Sequence, residues 1–243
     1  MVGYDLKAAS KFGVKVPVRL DMLKMAAISG PTGSGKSTGI SYFLYKMRHL
    51  PVELFVGDAK SSGSFKGFCK DENYSEGEDV YDLVRRFYGS FRNAPEGGYP
   101  DGHRLLILDE LNSLVAHFAM TKEKDGKDLK KDMLMRMIST ILAMGRSKKH
   151  ICWICTQRVS SSNLFTGGTG SVGSMDNLIV RCAFGVLHTE ARKSLFGGIH
   201  FDGEDDLPYG IGRALIMSDE ESLRAIALPK VSIKRLRELY NEK

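Results

Sequence analysis

The chain of 243 residues contains no continuous apolar run approaching the roughly 18 residues that a membrane-spanning helix needs. Its first 24 residues also lack the unbroken apolar centre of a secretory signal peptide, because basic side chains interrupt them. These are Lys7, Lys11, Lys15 and Arg19. The sequence shows neither an internal repeat nor a long low-complexity tract. We therefore expect a cytoplasmic protein, or a soluble subunit that is recruited elsewhere.

Cysteine is scarce, with four residues in the chain. Cys152 and Cys155 have the spacing of a redox pair or of half a zinc site. Both lie in the apolar stretch HICWICTQ, which predicts a buried strand, and side chains three positions apart on a strand point to opposite faces. We therefore expect these two thiols in the hydrophobic core rather than on a shared metal ion.

Neither sign of charge is in large excess. The 35 basic and 29 acidic side chains give a formal net charge of +6 and an isoelectric point near 9.0. This balance permits the binding of a nucleotide or a nucleic acid without requiring it. The composition, with 42% hydrophobic and 26% charged residues, is that of an ordinary soluble globular protein.

Apolar runs of strand length alternate with longer stretches that suit helices, the pattern of a mainly parallel sheet covered by helices. Strands are predicted at 24–30, 52–58, 104–110, 150–157, 178–186 and 212–218. Helices are predicted after Gly35, around 76–92, 110–121 and 128–145, and after Pro229. The charged segment 121–132 and the Gly- and Ser-rich segment 160–177 are expected to be surface loops. We assign residues 1–23 to an N-terminal extension and residues 24–243 to one α/β domain.

The strongest local signal is the stretch GPTGSGKS, which satisfies the phosphate-loop pattern G-x-x-x-x-G-K-[ST] between a predicted strand and a predicted helix. Glycines allow the backbone to curl so that its N–H groups face phosphate oxygens, and the following helix adds the positive end of its dipole. Nucleotide binding is expected from Gly30, Pro31, Thr32, Gly33, Ser34, Gly35, Lys36, Ser37 and Thr38. Lys36 is expected to reach the β- and γ-phosphates of ATP, and the Ser37 hydroxyl to bind Mg²⁺.

Two carboxylates, Asp109 and Glu110, end the apolar run RLLIL. Asp109 is expected to hold the magnesium ion through its water shell, and Glu110 to orient and deprotonate the attacking water. A kinase does not need the glutamate, so the pair favours ATP hydrolysis. The same two residues also suit a simple N-cap of the next helix.

A polar amide, Gln157, follows Thr156 at the end of the next predicted strand. In a parallel sheet it would face the γ-phosphate across from the acidic pair and could report whether that phosphate is present. The alternative is a helix cap or a solvent-facing polar residue.

Several stretches together resemble the motor domain of the FtsK/SpoIIIE family, within the FtsK–HerA group. The similar stretches are AAISGPTGSGKSTGI, VELFVGDAK, DLVRRFYGSFRN, LLILDELNSL, MGRSKKHICWICTQR and GIGRALIMS. The resemblance covers residues 24 to 218 and implies a RecA-like P-loop ATPase, with helices on both faces of the sheet. It also implies a homo-oligomeric ring, expected to be a hexamer, that uses ATP and Mg²⁺ to move double-stranded DNA.

In such rings the resemblance implies an arginine supplied by a neighbouring subunit, which stabilises the transferring phosphoryl group. Arg86, in VRRFY, matches the family position, and Arg146, in MGRSKK, is the second candidate. The alternative for each is a solvated helix arginine.

The chain also departs from the family pattern. Val159 stands where the family has a proline after TQR. We expect neither the N-terminal membrane region nor the C-terminal winged helix that family motors usually have. A reduced motor of this kind suits a phage or a mobile element, in DNA packaging or conjugative transfer. Lys127, Lys130 and Lys131 are candidate DNA contacts, and the alternative is a solvated charged face. Two other functions stay open, a protein-translocating ATPase of the secretion type and a nucleotide-dependent assembly protein.

Overall fold

A computed structural model describes residues 1–123, 126, 128–157, 176–197, 199 and 210–242. Its described strands form one sheet in the order β2-β1-β10-β9-β8-β3-β7-β6-β4-β5. The strands are β1 (Gly3–Asp5), β2 (Pro17–Val18), β3 (Ala26–Ser29), β4 (Val52–Asp58), β5 (Tyr74–Glu76), β6 (His103–Asp109), β7 (His150–Thr156), β8 (Val180–Phe184), β9 (Arg213–Met217) and β10 (Arg224–Ala227).

The described α-helices connect and cover these strands. They are α1 (Leu6–Phe12), α2 (Lys36–Met47), α3 (Val80–Asn93), α4 (Leu111–His117), α5 (Lys130–Met144), α6 (Thr189–Phe196) and α7 (Ile233–Asn241). The six predicted strands and five predicted helices are all present, with small differences at their ends. The sequence analysis missed β1, β2, β5, β10, α1 and α6.

The strands from β8 to β5 run parallel to one another. The chain moves from β3 past β7 and β6 to β4, and then returns in the opposite direction through β6 and β7. Because parallel crossovers are right-handed, α2 lies on one face of the sheet, and α3 and α5 lie on the other. In agreement, α3 packs against α5, and α2 packs against α7.

The remaining strands, β9, β10, β1 and β2, extend the other side of the sheet with antiparallel pairs. The segment 1–23 supplies the last two of these strands, and β1 pairs with β10 through Tyr4 and Ala227. Residues from near both ends of the described chain therefore meet in this antiparallel part of the sheet.

The hydrophobic core is densest around β3, β6 and β7, whose inner residues are fully buried on both faces. Cys152 and Cys155 are both buried in β7, as expected for core cysteines, and burial raises the pKa of the Cys152 thiol to about 12. Trp153 lies between them and is also fully buried. Its indole Nε1–H is 3.2 Å from the backbone carbonyl oxygens of Met22 and Lys24, which attaches the segment before β3 to β7.

Candidate active site

The phosphate loop connects the carboxyl end of β3 to the start of α2, as the sequence predicts. Gly33 and Gly35 have left-handed backbone angles, with φ of 80° and 90°, which side chains with a Cβ rarely adopt. Gly35 is the N-cap of α2 and has no side chain to accept hydrogen bonds from the first N–H groups of the helix. Those groups are oriented toward the helix entrance, where an anion is stabilised.

The outer side of the loop rests on the turn before β9. The backbone N–H of Gly212 donates to the carbonyl oxygen of Ser34 over 3.0 Å, and a Cβ on Gly35 would lie 2.7 Å from the Gly212 nitrogen. The antiparallel part of the sheet therefore supports the loop from behind. Ser34 faces this support and is the one expected loop residue that does not line the cleft.

The loop forms one wall of a cleft of about 430 Å³. The lining residues are Gly30, Pro31, Thr32, Gly33, Gly35, Lys36, Ser37, Thr38, Lys60, Ser62, Ser64, Asp109, Glu110, Gln157 and Ile211. The structure thus brings the predicted loop, the acidic pair and Gln157 into a single space.

Lys36 and Asp109 form an ion pair at the bottom of this cleft, with Nζ 3.2 Å from Oδ1. Both side chains are about 10% exposed. Burial raises the pKa of Asp109, and the nearby Lys36 ammonium opposes that shift. Ser37 also lines the cleft, so its hydroxyl and the Asp109 carboxylate are both available as oxygen ligands for a cation.

Glu110 follows β6 and is the N-cap of α4 by position. Its backbone is left-handed, with φ of 62° and ψ of 53°, a conformation that costs free energy in a residue with a side chain. Its N–H donates to the Cys155 carbonyl over 2.9 Å, and its side chain makes no capping hydrogen bond to α4. The simple N-cap alternative is therefore not what the structure shows. The carboxylate is instead directed into the cleft, where 6% of the residue is exposed.

The two oxygens of the Glu110 carboxylate have different partners. Oε1 is 3.3 Å from the Gln157 backbone N–H and 3.5 Å from the Thr156 hydroxyl, both at the end of β7. Oε2 is 3.8 Å from Lys36 Nζ and 3.4 Å from Lys60 Nζ. One oxygen is thus held by the sheet, and the other faces two ammonium groups.

Sequence reasoning gave no role to Lys60, Ser62, Ser64 or Ile211, all of which line the cleft. The signal for Lys60 was the motif GDAK at the end of β4, because the carboxyl ends of parallel strands meet at one edge of the sheet, and Ser62 and Ser64 follow that motif in the sequence. Ile211 is 82% exposed beside the phosphate loop, and no local pattern indicates its position.

The two candidate trans arginines lie outside this cleft. Arg86 is exposed on α3, where its guanidinium Nη2 donates to the Glu72 carbonyl over 2.8 Å. Arg146 is exposed in the 3-10 turn Gly145–Lys148, which precedes β7 and so lies at the opposite edge of the sheet from the phosphate loop. Within this single chain, neither residue completes the site.

Some of the residues singled out in the sequence fall outside the described residues. These are Lys127, Val159 and nearly all of the segment 160–177. Lys130 is described and packs over the rings of Tyr81 and Phe118, at 5.3 and 5.4 Å from their centroids. Among the residues that the structure does describe, no helix combines the length and apolar character needed to cross a membrane.

The residues of the cleft fit a magnesium nucleoside triphosphate. The left-handed glycines, the uncapped helix start and Lys36 suit a phosphate chain, while Ser37 and Asp109 supply the oxygen ligands that Mg²⁺ prefers. Magnesium bound there would neutralise charge on the β- and γ-phosphates.

No known family model matches the chain, and no curated protein is similar to it in sequence. Solved structures do share its fold. The cytoplasmic domain of the type VII secretion ATPase EccC from Thermomonospora curvata is 16% identical, with a TM-score of 0.67 over 100% of this chain and 31% of that one. The pCW3 conjugation coupling protein TcpA, solved with ATPγS, is 16% identical, with a TM-score of 0.62 over 91% of this chain and 67% of that one.

A third similar structure is the genome packaging NTPase B204 from Sulfolobus turreted icosahedral virus 2, solved with ATPγS. It is 13% identical, with a TM-score of 0.53 over 86% of this chain and 100% of that one. This chain spans about a third of the EccC chain. The three matches confirm the RecA-like P-loop fold and the resemblance to FtsK–HerA-type ATPases at the level of the fold.

Proposed function

We propose that this protein is an ATP-hydrolysing motor that assembles as a homo-oligomeric ring and moves double-stranded DNA. The observation that carries the hydrolytic part is the Glu110 carboxylate, which is buried in the phosphate-loop cleft and fixed through one oxygen by the end of β7. A carboxylate held in this way can orient a water molecule and accept its proton.

The remaining cleft residues have complementary roles in this proposal. The backbone of the phosphate loop and Lys36 bind the phosphate chain of ATP, and Ser37 and Asp109 hold Mg²⁺. Gln157 lies beside Glu110, at a position from which its amide can respond to the terminal phosphate. Binding of the nucleotide replaces the Lys36–Asp109 ion pair with contacts to phosphate and metal.

The ring is proposed because the cleft is open to solvent and contains no arginine among its described lining residues. The transfer of a phosphoryl group is commonly stabilised by an arginine that a neighbouring subunit supplies. Arg86 is our first candidate and Arg146 our second. We expect six subunits, as the family resemblance implies.

Two of the similar structures favour DNA as the substrate, since TcpA is described as a conjugation coupling protein and B204 as a genome packaging NTPase. Repeated phosphate contacts without base reading suit a motor that moves along any sequence. The deciding experiment measures the ATPase rate against the length of duplex DNA, with particle imaging in parallel. A rate that rises with duplex length and rings that form on DNA support the proposal. Rings that depend on nucleotide while the rate ignores DNA indicate an assembly protein instead.

The trans arginine has its own test in mixed rings. Lys36→Ala subunits lose the lysine contact to the β- and γ-phosphates and should not hydrolyse ATP, and Arg86→Ala subunits cannot complete a neighbour's site. If Arg86 acts between subunits, mixing the two inactive variants restores part of the activity, because some interfaces then combine an intact cleft with an intact arginine. Full activity of Arg86→Ala alone removes Arg86 from this role and transfers the test to Arg146→Ala.

A protein-translocating ATPase is the second candidate function. The EccC match favours it, because that secretion ATPase matches the whole of this chain with a TM-score of 0.67, above the values of the other two structures described. This alternative predicts an ATPase rate that is indifferent to duplex DNA and rises with a peptide substrate.

A further inference from the structure

We propose that Lys60 binds the terminal phosphate of the triphosphate and returns to Glu110 when that phosphate is absent. Lys60 would thereby distinguish a nucleoside triphosphate from a diphosphate. This inference rests on the proposed ATP hydrolysis, because it concerns the same cleft.

The backbone of Lys60 is fixed by a buried aspartate at the end of β4. Asp58 is fully buried, and its carboxylate accepts hydrogen bonds from the Lys60 N–H, the Ser62 hydroxyl, the Gly63 N–H and the Tyr74 hydroxyl, over 2.9 to 3.2 Å. The preceding Ala59 N–H donates to the Asp109 carbonyl over 3.2 Å. Lys60 therefore starts from a rigid turn that is attached to the strand carrying the acidic pair.

The side chain of Lys60 extends from this turn across the cleft to Glu110. Its Nζ lies 3.4 Å from Oε2, and Lys36 Nζ lies 3.8 Å from the same oxygen. By the phosphate-loop mechanism Lys36 reaches the β- and γ-phosphates. Lys60 Nζ lies near the same oxygen, Oε2 of Glu110, as Lys36 Nζ. It is therefore placed at the γ-phosphate end of the phosphate chain.

An ion pair for stability alone does not account for this contact. The Lys60 side chain is 44% exposed, and exposed ion pairs contribute little to folding stability because water and side-chain entropy oppose them. The Glu110 side chain, by contrast, is only 7% exposed. Oε2 of Glu110, the candidate base, is thus paired with the ammonium group of an exposed side chain, and that side chain can move away.

Exchange of partners follows from the charges. The terminal phosphate of ATP carries more negative charge than one carboxylate and offers several oxygens to an ammonium group. When Lys60 moves to that phosphate, Oε2 of Glu110 becomes free to accept a proton from water. Oε1 stays bonded to the Gln157 N–H, so the carboxylate keeps its orientation. Once phosphate has left, Lys60 binds Oε2 again.

The test compares the binding of ATPγS and ADP by calorimetry for the wild type, Lys60→Met and Lys60→Arg. Methionine keeps much of the side-chain length and removes the charge. We expect Lys60→Met to weaken ATPγS binding by roughly tenfold and to change ADP binding less than about twofold, since one charge-assisted hydrogen bond is lost from the triphosphate only. Lys60→Arg keeps the charge and should retain part of the preference for ATPγS.

The matched control is Lys66→Met, an exposed lysine of the same connection that does not line the cleft. It should leave both affinities unchanged. An ATPγS-to-ADP affinity ratio that Lys60→Met leaves unchanged overturns the inference. If both affinities fall by the same factor, Lys60 is a structural residue only. If the wild type binds neither nucleotide, the proposed function itself is wrong.

A second measurement tests the exchange of partners directly. Glu110→Gln removes the negative charge that holds Lys60 in the absence of phosphate. In the protein that keeps Lys60, this change should therefore tighten ATPγS binding. In the Lys60→Met background the same change should have a smaller effect, since only Lys36 then remains near Oε2. Equal effects of Glu110→Gln in both backgrounds would show that the two residues act independently and contradict the inference.

Discussion

The two sides of the sheet differ in both connectivity and chemistry. From β8 to β5 the strands are parallel, and three of them end beside the cleft. Asp109 is the last residue of β6, and the cleft residues Lys36, Lys60 and Glu110 come after the ends of β3, β4 and β6. From β9 to β2 the strands are antiparallel, and they contribute to the cleft mainly through the turn at Ile211. The parallel side therefore contains the proposed chemistry, while the antiparallel side supports the phosphate loop from behind.

Support of the phosphate loop and the proposed ATP hydrolysis therefore depend on different parts of the sheet. Gly212 contacts the backbone of Ser34, whereas the acidic pair lies at the carboxyl end of β6, three strands away from β8. Substitutions on the parallel side should change reaction rates, and substitutions at the junction should change stability. The predictions that follow test this division, beginning with the largest effect.

Glu110→Gln should reduce the ATP hydrolysis rate by a factor of 100 or more, on the order of what a positioned general base contributes. ATP binding should persist, since the amide keeps the size of the side chain and the phosphate loop is unchanged. Steady-state turnover and ATPγS binding measure the two properties. Glu96→Gln, an exposed glutamate outside the cleft, is the control. Normal turnover in Glu110→Gln would show that Glu110 is not the general base.

Gly39→Ala should destabilise the fold by about 1–3 kcal/mol through overpacking. Gly39 lies on α2 against the buried ring of Phe184 on β8, where the parallel and antiparallel sides join, and a Cβ at this position would overlap that ring. Gly89→Ala on α3 is the matched control, because a Cβ there meets nothing within 4 Å. It should stabilise the protein by about 0.5–1 kcal/mol through helix propensity. Chemical denaturation measures the free energy of unfolding of both variants. A change of the same sign in Gly39→Ala and Gly89→Ala would contradict the close packing of Gly39 against Phe184.

Arg237→Ala should weaken the connection that α7 makes between the two sides. The helix follows β10, and the Arg237 guanidinium lies 3.4 and 3.3 Å from the carbonyls of Gly63 and Ser64, just beyond Lys60. We expect a loss of about 1–2 kcal/mol in stability, as for two hydrogen bonds, together with weaker ATPγS binding. Arg235→Ala is the control on the same helix, since Arg235 pairs with Glu238 and Glu242 at the surface. An unchanged ATPγS affinity in Arg237→Ala would show that the contact from α7 does not affect nucleotide binding in the cleft.

The smallest effect concerns pH and lies at the amino end of β7. Burial lowers the pKa of His150, whose Nδ1 is 2.7 Å from the Lys148 carbonyl and whose Nε2 is 3.2 Å from the Ser90 hydroxyl. The neutral ring is favoured in the folded state, so its stabilisation is present above about pH 6.5 and is lost as the pH falls below that value. His150→Phe should flatten this decline by at most about 1.4 kcal/mol per pH unit. His49→Phe, at an exposed histidine, is the control substitution.

Sequence patterns predicted the parallel side better than the antiparallel side for a physical reason. β4, β6 and β7 each have seven residues and are largely buried, so they read as continuous apolar runs. β1, β2 and β10 have two to four residues with mixed exposure, and tertiary pairing rather than local pattern makes them strands.

The same distinction holds within the cleft. The phosphate loop, Asp109 and Glu110 are contiguous motifs whose chemistry can be inferred from spacing alone. The approach of Lys60 to Glu110 depends on the turn around Asp58 and on the pairing of β4 with β6. These are long-range contacts, and the printed sequence contains no local signal for their geometry.

Trp153 gives this division a practical consequence. It is the single tryptophan of the chain, it lies on β7 between β3 and β6, and it is fully shielded from solvent. Its fluorescence emission therefore comes from one position in the centre of the parallel strands, without any engineered dye. An emission shift to longer wavelength would report water entering that centre, whereas loosening confined to the antiparallel strands would leave the colour of the emission unaltered.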